Sequence, residues 1–415
     1  MSLVTRTRSF LGQFNGLNFK ASVPRDSLEA RMKVGKKLRE ARSLLEHAPG
    51  FLLVKERASL QQHREEWDFV VRSRHLIRAE ESLQLMEPGN PHPKLSFEVP
   101  KREVVSCRQS TLWPGTGLLT TTNGTLITDS AFGPDRLQEM IRGRPFNRYP
   151  VLKIDDLPCA SLESGEHSGD HARWMLETLP RIWALHHPEI QELGPIHLLV
   201  GERTPAAKEE LIRAILPNQV QLKKVPDRSR VEARRFLLLP FFSLERYGYL
   251  PPEYLDFFRS HILGALGIPQ NLPQTKKILI SRAGAARRQL LNEEALFREL
   301  EPVGFERHRL EDLSLGAQAA LFAQAGVVVG VHGSALSNLV YARDCRVIEV
   351  FPGPASPEFR VLAAACGHRY RAIVGDGYDR DANLVLRFEE LMQALELMES
   401  QSPALLRSAS DDDRA

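Results

Sequence analysis

The 415-residue sequence has only four cysteines, Cys107, Cys159, Cys345 and Cys366, and no CxxC pair among them. That spacing excludes a short disulfide-framed module and a zinc site built from cysteine, and it fits reduced thiols in a cytoplasmic setting. No apolar run approaches the roughly 18–20 residues that a spanning helix needs, and the polar N-terminus lacks a signal-peptide core. The net charge of +3 is small for this length, so charge gives no reason to expect a nucleic-acid partner. Neither GxGxxG nor GxxxxGK[ST] occurs, which makes a nicotinamide dehydrogenase and a P-loop NTPase poor readings. An internal repeat is also lacking.

What is present is an ordinary globular composition, long enough for two or three domains. Residues 1–95 read as an N-terminal extension, helical where Leu28, Met32, Leu38, Ala41 and Leu45 recur at helical spacing within Asp26–Ala48. The polar face of that helix leans basic, which suits a solvated helix packed on its own domain; a peripheral contact with the inner face of a membrane stands beside it as a hypothesis. The stretch 87–100, EPGNPHPKLSFEVP, reads as a proline-rich connector, and Asn123-Gly124 as a hairpin turn between alternating runs.

Strand and helix patterns then alternate. A first α/β lobe spans 96–270 and holds ARWMLETLPRIWAL, IHLLV, a helix from Pro205 and FLLLP. A polar PQNLPQTKK linker leads to a second lobe, 271–398, with strands KILISR, FERHRL, GVVVGV, VIEVF and YRAIVG separated by helices. This is the texture of two Rossmann-like lobes with parallel sheets, a cleft between them and a disordered tail at 399–415.

The strand GVVVGV runs directly into His332, Gly333 and Ser334 at the mouth of a helix. Either His332 is a satisfied polar residue at a sheet edge with Gly333 in a tight turn, or the three seat an anion. Free N–H groups at a helix start, a donor imidazole and an open glycine suit a diphosphate. ILISR delivers Ser281 and Arg282 in the same direction, followed by Arg287 and Arg288 before a helix that Asn292 is expected to cap. Arginine forks suit phosphate, whereas simple surface charge explains one of Arg287 and Arg288 equally well. Glu349 interrupts the apolar strand VIEVF, where a ribose diol or an ion pair with one of those arginines would satisfy it. Together these residues describe a nucleoside-diphosphate pocket.

The segments ISRAGAARRQLLNEEALFREL, GFERHRLEDLSLGAQAALFAQAGVVVGVHGSALSNLVYA and RVIEVFP resemble the C-terminal half of glycosyltransferase family 61, the capsular and exopolysaccharide type. Upstream, RWMLETLPRIWAL resembles that family's H-W-L-L-[DE]-x-LPRL helix, and the resemblance covers about residues 100–390. It implies a two-lobed GT-B fold with a nucleotide-sugar donor on the C-terminal lobe and a glycan or lipid-linked acceptor on the N-terminal lobe. It also implies an inverting transfer with no cofactor or obligatory metal, a UDP-sugar being the commonest donor type. Asn338 falls on the family's HGAGL-x-N asparagine. Glu177 falls on the family's acid and is the expected base.

Three departures bear on this. Arg173 stands where the family often has histidine, and His171, two residues earlier, is the expected substitute by a shifted register. Ala317 leaves the capping box begun by Ser314 incomplete, and Ala335 replaces a glycine in the helix mouth. Two rival readings remain: a metal-assisted hydrolase using His167, Asp170 and His171, and a nucleotide-sugar-binding protein without turnover.

Overall fold

The computed structural model describes residues 56–58, 68–69, 81–87, 90–99, 102–122, 124–130, 148–163, 170–242, 247–377, 379–399 and 405–408. The basic segment Asp26–Ala48 and the hydrolase candidate His167 lie outside them.

In chain order the strands are β1 (Glu56–Ala58), β2 (Asp68–Phe69), β3 (Glu81–Glu87), β4 (Asn90–Val99), β5 (Val105–Trp113) and β6 (Leu118–Thr121). Next come β7 (Thr125–Ile127), β8 (Val151–Ile154), β9 (Cys159–Ser161), β10 (Ile196–Gly201), β11 (Val220–Val225) and β12 (Arg230–Leu238). The last six are β13 (Lys276–Ile280), β14 (Phe305–His308), β15 (Ala325–Val331), β16 (Arg346–Phe351), β17 (Arg369–Val374) and β18 (Leu405–Ser408). They form mixed α/β architecture with extensive parallel pairing: a ten-stranded sheet of order β1-β7-β6-β5-β12-β9-β10-β11, with β2 on β5 and β8 on β12, a five-stranded sheet, and the antiparallel set β18-β3-β4. Both large sheets lie within one unit, Val54–Ala415.

Two expectations are corrected here. The supposed connector 87–100 is mostly β4, paired antiparallel with β3. In the supposed disordered tail, Leu405–Ser408 pair with β3 instead, the edge supplying the backbone partners that local sequence does not reveal. The expected hairpin does form, β6 pairing antiparallel with β7.

The five-stranded sheet positions the site. Its strands run all parallel in the order β14-β13-β15-β16-β17, so the chain reverses its direction of winding between β13 and β15. Period-two alternation explains why it is covered on both sides. Val327, Val329, Ile348 and Val350 face Leu296, Leu300, Leu391 and Leu395 from the helices Glu293–Leu300 and Phe388–Glu399. Val328 and Val347 face the opposite way and join Ala319, Phe322, Leu336, Leu339, Phe359 and Leu362.

That second cluster continues into the ten-stranded half through Leu176, Leu179, Tyr254 and Phe258. The Phe258 and Tyr341 rings lie 5.1 Å apart, and the Tyr341 hydroxyl reaches Met175 Sδ at 3.6 Å. The segment carrying RWMLETLPRIWAL winds as an α turn, His171–Arg173, a π turn, Trp174–Thr178, and a 3-10 helix, Leu179–His186. Pro180 cannot donate a backbone N–H and crowds the carbonyl four residues earlier, so a regular α-helix is interrupted at this point.

Candidate functional site

In an open parallel sheet, ligands gather beyond the carboxyl ends of the strands where the winding reverses. Ser281 and Arg282 leave the end of β13, and His332, Gly333 and Ser334 leave the adjacent end of β15. The structure therefore brings together the two groups that the sequence singles out.

His332 is fixed from several sides. Its backbone N–H donates to Val350 O at 2.9 Å, and its carbonyl accepts from Arg288 Nη1 at 2.8 Å. Its ring stacks on Phe351, centroids 5.1 Å apart, and tilts against Phe359. Nδ1 lies 2.6 Å from Glu349 Oε1, and Tyr370 donates its hydroxyl to Glu349 Oε2, also at 2.6 Å. Glu349 is fully buried, whereas the His332 side chain keeps 22% of its surface. Burial raises the Glu349 carboxyl above its ordinary range, and the bonds from His332 and Tyr370 oppose that rise. The partners of Glu349 are thus a histidine and a tyrosine from the neighbouring strand, rather than an arginine.

Arg282 is held by backbone. Its Nε donates to Arg288 O at 2.9 Å and its Nη2 to Arg287 O at 3.0 Å. Glu293 fixes the start of this loop, accepting from Ser281 Oγ at 2.5 Å and from Arg282 N at 3.1 Å. Arg282 Nη1 sits only 2.8 Å from where a Cβ on Gly333 would lie, so the glycine is what admits the guanidinium. Arg288 adopts a left-handed backbone, φ 57°, uncommon for a non-glycine residue and set where the loop turns back toward His332. Arg287 and Ser334 are exposed. Asn292 makes no side-chain cap, against expectation; its amide exchanges bonds with both backbone groups of Leu386.

Asn338 is fully buried in the 3-10 helix Ser334–Tyr341. Its Nδ2 donates to Gln318 Oε1 at 3.2 Å and Ala335 O at 3.0 Å, and its Oδ1 lies 3.3 Å from His171 Nε2. His171 is thereby tied to the helix that begins at His332-Gly333-Ser334. Burial holds the His171 ring below its ordinary pKa, with Lys208 adding to the effect and Asn338 opposing it. Glu177 lies within the π turn, 1% exposed, with its Oε2 4.0 Å from Arg173 Nη1. The Arg173 guanidinium also stands over the Tyr247 ring at 5.9 Å. Ser314 caps its helix by accepting from Ala317 N at 3.2 Å. Among the described residues no group of three or more His, Cys, Asp or Glu side chains is placed to hold a metal ion.

Sequence reasoning missed Glu293, Tyr370 and Gln318. The first was legible as the glutamate of the NE pair. The other two become apparent only when β17 and the helix Leu315–Phe322 are placed beside Glu349 and Asn338.

Among solved structures, the chain is similar at 12% identity to the iron-containing dodecameric heptosyltransferase TibC in complex with ADP-D-beta-D-heptose, covering 74% of this chain and 80% of that one, TM-score 0.29. TibC was also solved from enterotoxigenic E. coli H10407. The E. coli ADP-heptose LPS heptosyltransferase II is similar at 12% identity over 58% of this chain and 98% of that one, TM-score 0.25. Scores this low carry nothing over to this chain. No curated protein sequence matches it. Residues 172–348, which hold the LPR segment, the Ser281–Glu293 loop and the His332 turn, match the family model described as Glycosyltransferase 61, which identifies the chain as a glycosyltransferase.

Proposed function

We propose that this glycosyltransferase is an inverting, metal-independent enzyme moving a sugar from a nucleotide-sugar donor, in the simplest case a UDP-sugar, to a glycan or lipid-linked acceptor. The observation that carries the reading is the convergence of Arg282 and the His332-Gly333 turn at the switch point of the five-stranded sheet. Residues 271–398 then form the donor lobe and 96–270 the acceptor lobe of a GT-B arrangement, in a cytoplasmic enzyme of polysaccharide or capsule assembly.

In such a reaction the acceptor oxygen attacks the anomeric carbon as the nucleoside diphosphate leaves from the opposite face. The growing charge on the leaving oxygen is met by preorganised donors: the Arg282 and Arg288 side chains, the exposed Arg287, His332, and the N–H groups after Gly333. Ser281 and Glu293 hold the loop that aims Arg282. Glu349 serves the pocket through His332, and Asn338 through the helix it anchors. We assign the base to Glu177, with His171 beside it as the group that joins the acceptor helix to the donor turn. The match of residues 172–348 to the Glycosyltransferase 61 model favours transfer over the hydrolase reading.

The test is calorimetric binding of nucleoside diphosphates and nucleotide sugars, chelator present, to wild-type and His332→Ala protein. One nucleotide should bind without added metal and lose about tenfold or more in the variant, the worth of a charge-assisted bond. Glu177→Gln should leave that binding intact and lower turnover roughly 10²–10⁴-fold. A folded wild-type protein that binds none of the panel overturns the reading.

A further inference from the structure

His332 Nδ1 is committed to Glu349, while its Nε2 makes no hydrogen bond among the described residues and the ring stays part-exposed. A pair held this way presents a lone pair at Nε2 when its one proton sits on Nδ1, and an Nε2–H donor when it holds a second proton, on the ring or on the carboxyl. Only the second form can bond an anionic phosphate oxygen; the first presents a lone pair to it. The ring cannot turn over to offer Nδ1 without breaking the 2.6 Å bond to a fully buried carboxylate and its stacking on Phe351.

We propose that Glu349 is a positioning residue that makes His332 Nε2 a proton-bearing donor to the diphosphate, with Tyr370 setting how readily the pair gives up its proton, so that nucleotide binding requires a second proton on the His332–Glu349 pair. This rests on the donor-site reading above. The buried pair is neutral overall when it holds two protons and carries a net negative charge when it holds one. Burial, the largest influence on Glu349, penalises the charged carboxylate and so favours the two-proton state. Tyr370 acts in the other direction, stabilising the ionised carboxylate through its hydroxyl. The other charged groups around the pair are Glu358 and Arg360 on the helix Glu358–Ala365, and Arg282 and Arg288 on the loop after β13. Glu358 favours the extra proton on Glu349, while the two loop arginines supply fixed positive charge whatever the state of the pair.

The expected consequence is an affinity that falls as pH rises, with proton uptake approaching one per nucleotide on the falling limb. The probe is UDP, or whichever nucleoside diphosphate the panel identifies, titrated from pH 7.5 to 9 in buffers of differing ionisation enthalpy. Its own terminal phosphate, ionising near about 6, is already charged in that range. In Tyr370→Phe the limb should move to higher pH, because the carboxylate loses a bond that favours ionisation. In Glu349→Gln it should move to lower pH, with roughly tenfold weaker binding at pH 7.5, because no carboxylate remains to balance the imidazolium. A merely structural role would change affinity without moving the limb.

Ring ¹⁵N spectra of histidine-labelled protein, assigned with His332→Gln, report the ring protons and should show Nε2 protonated in the nucleotide complex of wild type. Binding that is flat with pH and free of proton uptake overturns the relay and leaves the donor site standing. Loss of all binding overturns both, and an Nε2 that carries no proton in the complex overturns the relay by itself.

Discussion

At the scale of single residues, the donor turn depends on the space left by a missing side chain. The Gly333 backbone, φ 168° and ψ 171°, is extended and open to any residue, so its glycine is required by proximity rather than by conformation. A methyl there would press on Arg282 Nη1, which two carbonyls already hold. Gly333→Ala is therefore expected to cost about tenfold in nucleotide affinity while changing stability by less than about 0.5 kcal/mol, since the displaced atoms end a flexible side chain. Parallel calorimetry and urea unfolding check this, and unchanged affinity would count against Arg282 as a phosphate ligand. The small residue at the helix mouth was legible in the sequence; the group it makes room for was not.

At the scale of elements, the helix Glu358–Ala365 holds Phe359 against His332 and is itself contacted from the ten-stranded half. Gly248 has φ 93°, and a Cβ there would overlap the Glu358 carbonyl oxygen. Both the left-handed backbone and the contact exclude a side chain, and the obstacle is backbone that cannot swing away. Gly248→Ala should destabilise the protein by about 2 kcal/mol or more and, by shifting Phe359, weaken nucleotide binding as well. Thermal unfolding together with nucleotide titration measures both effects; a stable variant with normal affinity would show that this contact does not position the helix. The same scale explains Asn292. Its place at the head of NEEALFREL suggested a cap, but the segment 384–386 lies close enough for its amide to bond Leu386 on both sides.

At the scale of the whole molecule, one buried histidine ties the helix Ser334–Tyr341 to the starts of β16 and β17. His368 is fully buried; its Nε2–H donates to Leu339 O at 2.9 Å and its Nδ1 accepts from Cys345 N at 3.3 Å. Burial pushes the ring down from 6.5 to about 4, and protonation would set Nδ1–H against the Cys345 N–H. The unfolded chain therefore takes up this proton first as pH falls. The contribution is present in full above about 6.5 and is lost on acidification toward about 4. Its size is on the order of 3 kcal/mol. Glu163 and Glu349, both raised by burial, act with opposite sign, so a variant isolates the histidine. Urea unfolding at pH 7.5 and 5 should show a larger acid loss for wild type than for His368→Gln, and equal losses would remove His368 from the account.

The sequence by itself determined the periodic strands, their alternation with helices, and which residues stand at the ends of β13 and β15, because these are local properties of hydrophobic spacing and of small residues at turns. It placed Glu349 on one face with Val347 and Phe351 for the same reason. Only the tertiary structure decided that this carboxylate meets His332 and Tyr370, that Asn338 meets His171, and that Leu405–Ser408 joins β3 and β4 in one small sheet. Those partners lie on different strands or helices, and strand order and register, which bring them within 2.6–3.3 Å, are set by the packing of the whole sheet rather than by any neighbouring residues.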